Sequence, residues 1–462
     1  MAKNISLSVI AQAISLTVSF LMNLIVPKFI PVDQYALWQS FSLYASYVSI
    51  LHFGLLDGIV LRYSQYDFDE IDKTRLSWNF QSMLTWLSLC AAIAVVIGLV
   101  FCTGVNRTIV ILVGVSIVTT NCFTYNSYLL QITNRIKGYA GVVIVQRLVS
   151  GIIVAFLILV GIQHFVYFCL AFIFGDIIAS LVSLGKNSGS YFSAVSDRAD
   201  LVQELSSNLS AGVKLLIANW ASMFLLGSAK MIVQWKWGLL TFGRVSFSFS
   251  ITQLFLSVIV PVSIVLFPSI KRMDEGDMRS FYVKIRDIIS PLLILVLVLY
   301  FPGCMILEKW LPKYSESLSY LGILLPIIVY SSKVSLLTNN YLKAYRLEDK
   351  MLMVNLLSIA IAISGFIIFA YWIENLSLLL VWALVSVMIK SLLSEIIVTK
   401  KMTVNITVPF IAELVIVIIF LITAKFMSYF NGFLLYSGCA LVYSILYYLY
   451  RKNGHLCNRS NL

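Results

Sequence analysis

Charged side chains are scarce in this sequence. Asp, Glu, Lys and Arg make up 12% of its 462 residues, against 60% hydrophobic ones. A water-soluble chain needs a charged surface to cover its core, so a soluble globular protein is excluded. Histidine is rarer still: His52, His164 and His455 stand far apart, without the close spacing of a metal site, and no metal or cofactor is expected. The seven cysteines (Cys90, Cys102, Cys122, Cys169, Cys304, Cys439 and Cys457) contain no CxxC pair. They read as small packing residues, not as a disulfide framework. A Walker A glycine loop, HExxH and GxSxG are also missing. The loops between apolar runs are too short to carry the catalytic groups of a membrane polymerase or ligase. The chain therefore reads as a transporter and not an enzyme.

What the sequence has in abundance is long apolar runs. About fourteen stretches of roughly 18–25 residues follow one another, each long enough to cross a bilayer core of about 30 Å as a helix. Their approximate bounds are 5–30, 35–61, 77–102, 108–131, 140–161, 163–184, 208–229, 246–268, 286–307, 317–342, 352–373, 376–398, 407–428 and 431–450. The predicted class is an all-α integral membrane protein. Lys3 precedes the first run, but that run is long, contains Gln12 and Asn23, and has no small-residue cleavage site, so it reads as a retained helix.

The net charge of +12 follows topology and does not point to nucleic acid. One set of alternate loops carries most of the cations, from Arg62, Lys73 and Arg75 through Lys271, Arg279, Lys284 and Arg286 to Arg451 and Lys452. By the positive-inside rule both termini are cytoplasmic. The exception is an outer patch containing Lys230, Lys236 and Arg244.

The longest break, 185–207, contains Gly and Ser and then DRADLVQEL, which reads as a short amphipathic helix on the cytoplasmic surface. It divides the chain into an N-lobe (1–206, helices 1–6), a C-lobe (207–400, helices 7–12) and a C-terminal pair (401–462). Six plus six helices suggest two lobes around a central cavity, as in parallel-repeat transporters.

Polar residues in the first helix (Ser8, Gln12, Ser15, Ser19, Asn23) recur every three or four positions and share one face. Gln39, Ser42, Ser46 and Ser49 do so in the second, and Thr120, Thr124, Ser127 and Gln131 in the fourth. Such stripes must face protein or water. Interhelical hydrogen bonding is one reading; a hydrated cavity lined by Gln12, Ser19, Asn23, Gln39 and Ser46 is the other.

Ionisable residues deep in the spans need partners or water. Arg147 and Asp176 lie at similar depth in adjacent helices, either as an ion pair or with Arg147 facing a cavity. Lys333, mid-span, has no acid in its own helix and is expected to face the cavity, with snorkelling the alternative. Lys214, Lys230 and Lys390 add cations at other depths. Glu395 and Glu413 lie nearer the inner surface as candidate structural partners. Asp57 and Asp176 are the acids available for ion coupling. A cationic lining suits an anionic cargo such as a pyrophosphate.

Several segments resemble one family. VPKFIPVDQYALWQSF (26–41), LHFGLLDGIVLRYSQ (51–65), NRIKGYAGVVIVQRL (134–148), VLFPSIKR (265–272) and EKWLPKYSESLSYLGILLPI (308–327) occur in consistent order. Together they resemble the multidrug/oligosaccharidyl-lipid/polysaccharide (MOP) exporter superfamily, on its O-antigen and capsule repeat-unit flippase branch. The resemblance implies a two-lobed bundle that opens alternately to each side of the cell (inner) membrane. The implied cargo is a short oligosaccharide on undecaprenyl pyrophosphate. Membrane lipids, a polysaccharide polymerase, a chain-length regulator and a coupling ion (H+ or Na+) are the implied partners. Many relatives carry an Asp-Arg pair late in the seventh helix, where this chain has Ala229–Lys230: the cation is kept and the acid lost. Lipid II flippases place arginines in their first helices, and none is present here. A multidrug cation antiporter of the same fold is the main alternative, and a polytopic polymerase or ligase a lesser one.

Overall fold

The computed structural model describes residues 2–186, 191, 198–271 and 273–459. Side chains are described for 13–185, 191, 200–259, 262–263, 266–267, 269–271 and 273–452. Among these residues all regular structure is helical: α1 (Ala2–Phe29), α2 (Val32–Ala45), α3 (Leu55–Tyr63), α4 (Lys73–Phe101), α5 (Gly104–Ile132), α6 (Ile136–Val160), α7 (Phe165–Lys186), α8 (Arg198–Lys271), α9 (Glu275–Leu297), α10 (Tyr300–Trp310), α11 (Ser315–Leu324), α12 (Ile327–Lys333), α13 (Asn339–Ala344), α14 (Glu348–Ile367), α15 (Leu376–Met402), α16 (Thr407–Phe426) and α17 (Tyr429–Arg459). In hydrocarbon a backbone must satisfy its own polar groups, and helices do so within one segment. Side-chain caps close two starts: Asp72 accepts from the Thr74 amide at 2.8 Å, and Asn375 from the Leu378 amide at 3.1 Å.

Among the described residues ten helices are long and apolar enough to cross a membrane, or twelve if each of two bent pairs forms one span. The bent pairs are Val32–His52 with Leu55–Tyr63 (59°) and Pro312–Leu324 with Ile327–Ala344 (44°). About fourteen spans are expected from the sequence; among the described residues ten to twelve meet that length and polarity, and α1 adds a shorter apolar helix, Ala13–Phe29. The protein is a multi-pass α-helical membrane protein.

The expected surface helix DRADLVQEL is corrected. From Arg198 onward it is the first part of α8, and the helical run continues for 74 residues. Gly238 breaks that run with φ 81° and ψ 179°. That conformation is open to glycine and costly for other residues, so the break falls there. It separates arms of 198–237 and 239–271.

Packing divides the chain into two compact units, Met1–Met223 and Phe224–Leu462, and the division comes within α8. In the first unit, α3 and the start of α8 touch backbone to backbone. A Cβ on Gly58 would lie 1.8 Å from the Asn208 carbonyl oxygen, and one on Gly212 would lie 1.9 Å from that of Gly54. Only hydrogen fits at these positions, as at small-residue crossings in membranes generally. The same crossing is tied by charge. Arg62 donates to both oxygens of Glu204 at 2.8 and 2.9 Å and to Asn208 Oδ1 at 2.7 Å. The Tyr63 hydroxyl donates to Glu204 at 2.7 Å. A bidentate guanidinium–carboxylate pair is the strongest form of such a contact.

Candidate functional site

In the first unit, α1, α5, α6 and α7 share a polar layer. Arg147 and Asp176 both lie in it, but they do not form the expected ion pair. Asp176 accepts from the Thr120 hydroxyl at 2.9 Å and from the Gln146 amide at 3.1 Å. Arg147 Nε donates to Ser15 Oγ at 3.0 Å instead. The neighbouring Gln146 takes the acid, because residues one apart on a helix point in different directions. Among the described residues no carboxylate lies within ion-pair distance of Arg147, although Asp176 is near enough to attract its charge.

The stripes of the first helices are partly spent on local bonds. The Asn23 amide donates to the Ser19 carbonyl at 2.7 Å and the Ser46 hydroxyl to that of Leu43 at 2.6 Å. Gln39 is buried, Ser19 and Asn23 are half-buried, Ser46 is exposed, and Gln12 lies outside the described side chains. Asp57 sits buried in the first turn of α3, 4.0 Å from His52 Nε2 and hydrogen-bonded to Asn219. It is not a surface residue.

The second unit corrects the largest expectation. Lys333 is fully buried, but it is not unpaired. Its ammonium lies 2.9 Å from Glu395 Oε2 on α15 and 3.0 Å from Glu413 Oε2 on α16. Arg286 Nε on α9 donates to the other oxygen of Glu395 at 2.6 Å, and the Tyr282 hydroxyl adds a bond of 3.1 Å. Two cations and two carboxylates therefore neutralise each other in the core. Arg286, which sequence analysis assigned to the cytoplasmic loops, is 4% exposed.

Other cations of the outer patch are also paired. Lys236 bonds Glu374 at 2.5 Å, and Arg244 bonds Glu316. Lys230 is different. It is half-buried, its ammonium stands 5.7 Å from the centre of the Phe249 ring, and no carboxylate lies within ion-pair distance of it among the described residues. An aromatic face holds a cation without neutralising it. Lys390 is buried on α15 and Lys214 is exposed on α8. The buried acids Asp57, Asp176, Glu204, Glu395 and Glu413 are all bonded. Among the described residues Lys230 has no carboxylate within ion-pair distance, whereas Arg147 makes no direct ion pair but stands close enough to Asp176 to be attracted by it.

Sequence reasoning missed Glu204. It lies in the segment read as a surface helix, and the signal was the Glu204–Asn208 spacing of four, which puts both on one face of a continuous α8.

No protein-family model matches this chain, and no curated protein matches it significantly. Solved structures do. The lipid II flippase MurJ in an inward closed conformation superposes with a TM-score of 0.65 at 11% identity, covering 96% of this chain and 99% of that one. An inward-facing MATE family multidrug resistance transporter of the MOP superfamily gives 0.62 at 10% identity, covering 85% and 98%. A MOP superfamily transporter from Pyrococcus furiosus, described as having a binding pocket of reversed polarity, gives 0.57 at 12% identity, covering 87% and 96%. The chain has the fold of these solved transporters.

Proposed function

We propose that this protein is a flippase that moves undecaprenyl-pyrophosphate-linked oligosaccharide repeat units from the inner to the outer leaflet of the cell membrane. It would serve O-antigen or other surface polysaccharide synthesis, by alternating access. The observation that carries the reading is the sign of the charge left outside direct ion pairs. Among the described residues Lys230 has no carboxylate within ion-pair distance and Arg147 makes no direct ion pair, while the buried acids are all hydrogen-bonded or ion-paired, which suits a pyrophosphate and not a drug cation. The segment resemblances and the MurJ-like fold support it.

An inside-negative potential favours outward movement of an anion by about 2.3 kcal/mol per charge per 100 mV. Two charges on the head group make this several kcal/mol without ATP. Asp176, whose oxygens accept from a hydroxyl and an amide, is the first candidate for H+ or Na+ coupling on the return step, and Asp57 the second. Both termini are cytoplasmic in this reading, and a polymerase and chain-length regulator act on the exported units.

Cells lacking the chain are expected to accumulate lipid-linked repeat units on the inner leaflet and to lose surface polysaccharide, with both defects reversed by the intact gene. Normal surface polysaccharide together with new sensitivity to cationic drugs would favour the multidrug antiporter.

A further inference from the structure

The sequence sets the C-terminal hairpin α16–α17 apart from two six-helix lobes, and the proposed transport gives it no part. It is nevertheless built into the second unit at three levels. At its turn, Phe420, Tyr429 and Tyr436 pack around Tyr300 and Phe301 of α10, with ring centres 5.1–6.3 Å apart. Further along, Glu413 takes Lys333 at 3.0 and 3.2 Å. At the open end, Tyr447 and Arg451 bond Asp287 at 3.1 Å each. Adjacent residues of α9 thus face different helices: Arg286 reaches α15 and Asp287 reaches α17.

Lys333 holds a special position in its span. It ends α12, and the next five residues, Val334–Thr338, form a π-turn before α13. Such a turn shifts the backbone register, and one is often kept where a helix has work to do. Its displaced backbone is secured from the other side by α8: the Ser263 hydroxyl donates to the Ser335 carbonyl at 2.7 Å, and the Asn340 amide donates to Ser263 Oγ at 3.1 Å.

We propose that Glu413 is a positioning residue. Acting through Lys333, it holds the π-turn in place and makes the C-terminal hairpin a working part of the transport unit. Glu395 alone does not suffice, because it also serves Arg286. Without the Glu413 carboxylate, two buried cations would face one acid, and the ammonium would leave its place at the start of the turn. Only the transport arm of the test below rests on the flippase reading.

The test uses the full chain, purified in detergent and reconstituted. Hydrogen exchange of peptides spanning 327–344 reads the turn. Glu413→Gln should lower folded yield and speed exchange there about tenfold or more. Lys333→Met combined with Glu413→Gln leaves Arg286 and Glu395 balanced. This double variant should regain yield, but with the Lys333–Glu413 tie gone it should keep fast exchange over 327–344 and lose turnover. Glu413→Asp, with its charge pulled back by one methylene, should fold and keep KM but lose turnover. Native exchange in Glu413→Gln would overturn the proposal, as would native turnover in Glu413→Asp. If Glu413→Gln does not fold, the double variant decides, and its failure to fold would also overturn the idea. A double variant with native exchange and native turnover would overturn the proposal. Should the native chain move no lipid-linked oligosaccharide, the flippase reading fails, and exchange still decides the role of Glu413.

Discussion

Lys333→Ala is expected to remove folded protein, and not merely transport. The substitution deletes one of two cations that balance Glu395 and Glu413, all fully buried. Breaking a buried pair from one side leaves an uncompensated charge and costs about 3–5 kcal/mol. Total stabilities are only about 5–15 kcal/mol, so a large share of the molecules should fail to fold. Yield of monodisperse protein after size-exclusion chromatography, alongside the native chain, checks this. Adding Glu413→Gln to Lys333→Ala should recover part of the yield, because one cation then faces one acid. A normal yield for Lys333→Ala alone would mean that water or another cation compensates the two carboxylates.

Lys230→Ala should behave in the opposite way. Among the described residues no carboxylate depends on this ammonium, and its contact with Phe249 is worth about 0.5–2 kcal/mol, so folded yield should stay near native. A charged hydrogen bond to a pyrophosphate contributes about 1.5–3 kcal/mol. Its loss should weaken head-group binding roughly ten- to a hundredfold. Lys230→Arg should keep part of the affinity, since charge remains while geometry changes. Arg147→Ala should show the same pattern in the first unit. Binding of a soluble pyrophosphate-linked sugar, measured by calorimetry on purified variants, separates the outcomes. Native affinity in an alanine variant would remove that cation from head-group binding.

The membrane helices were legible because a bilayer imposes a length and a polarity that each segment must meet by itself. The pairing of charges was not, because it depends on which helices pack together. Lys333 finds Glu395 and Glu413 62 and 80 residues further along the chain, on helices whose placement no local pattern encodes. Arg147 illustrates the finer limit. Its depth matched that of Asp176, but a rotation of one residue gave the acid to Gln146. The extent of α8 was hidden for a different reason. The Gly- and Ser-containing stretch ahead of it read as a boundary, while the break in the helix lies at Gly238, which nothing in its neighbourhood marks.

The central claim is that this protein carries an anion on a lipid. It is tested most directly in proteoliposomes containing the purified chain, by comparing translocation of an undecaprenyl-pyrophosphate oligosaccharide with that of a cationic dye. Movement of the pyrophosphate-linked sugar, faster with the potential negative on the side it leaves and lost in Lys230→Ala, is the predicted result. Movement of the dye without movement of the sugar would contradict the account.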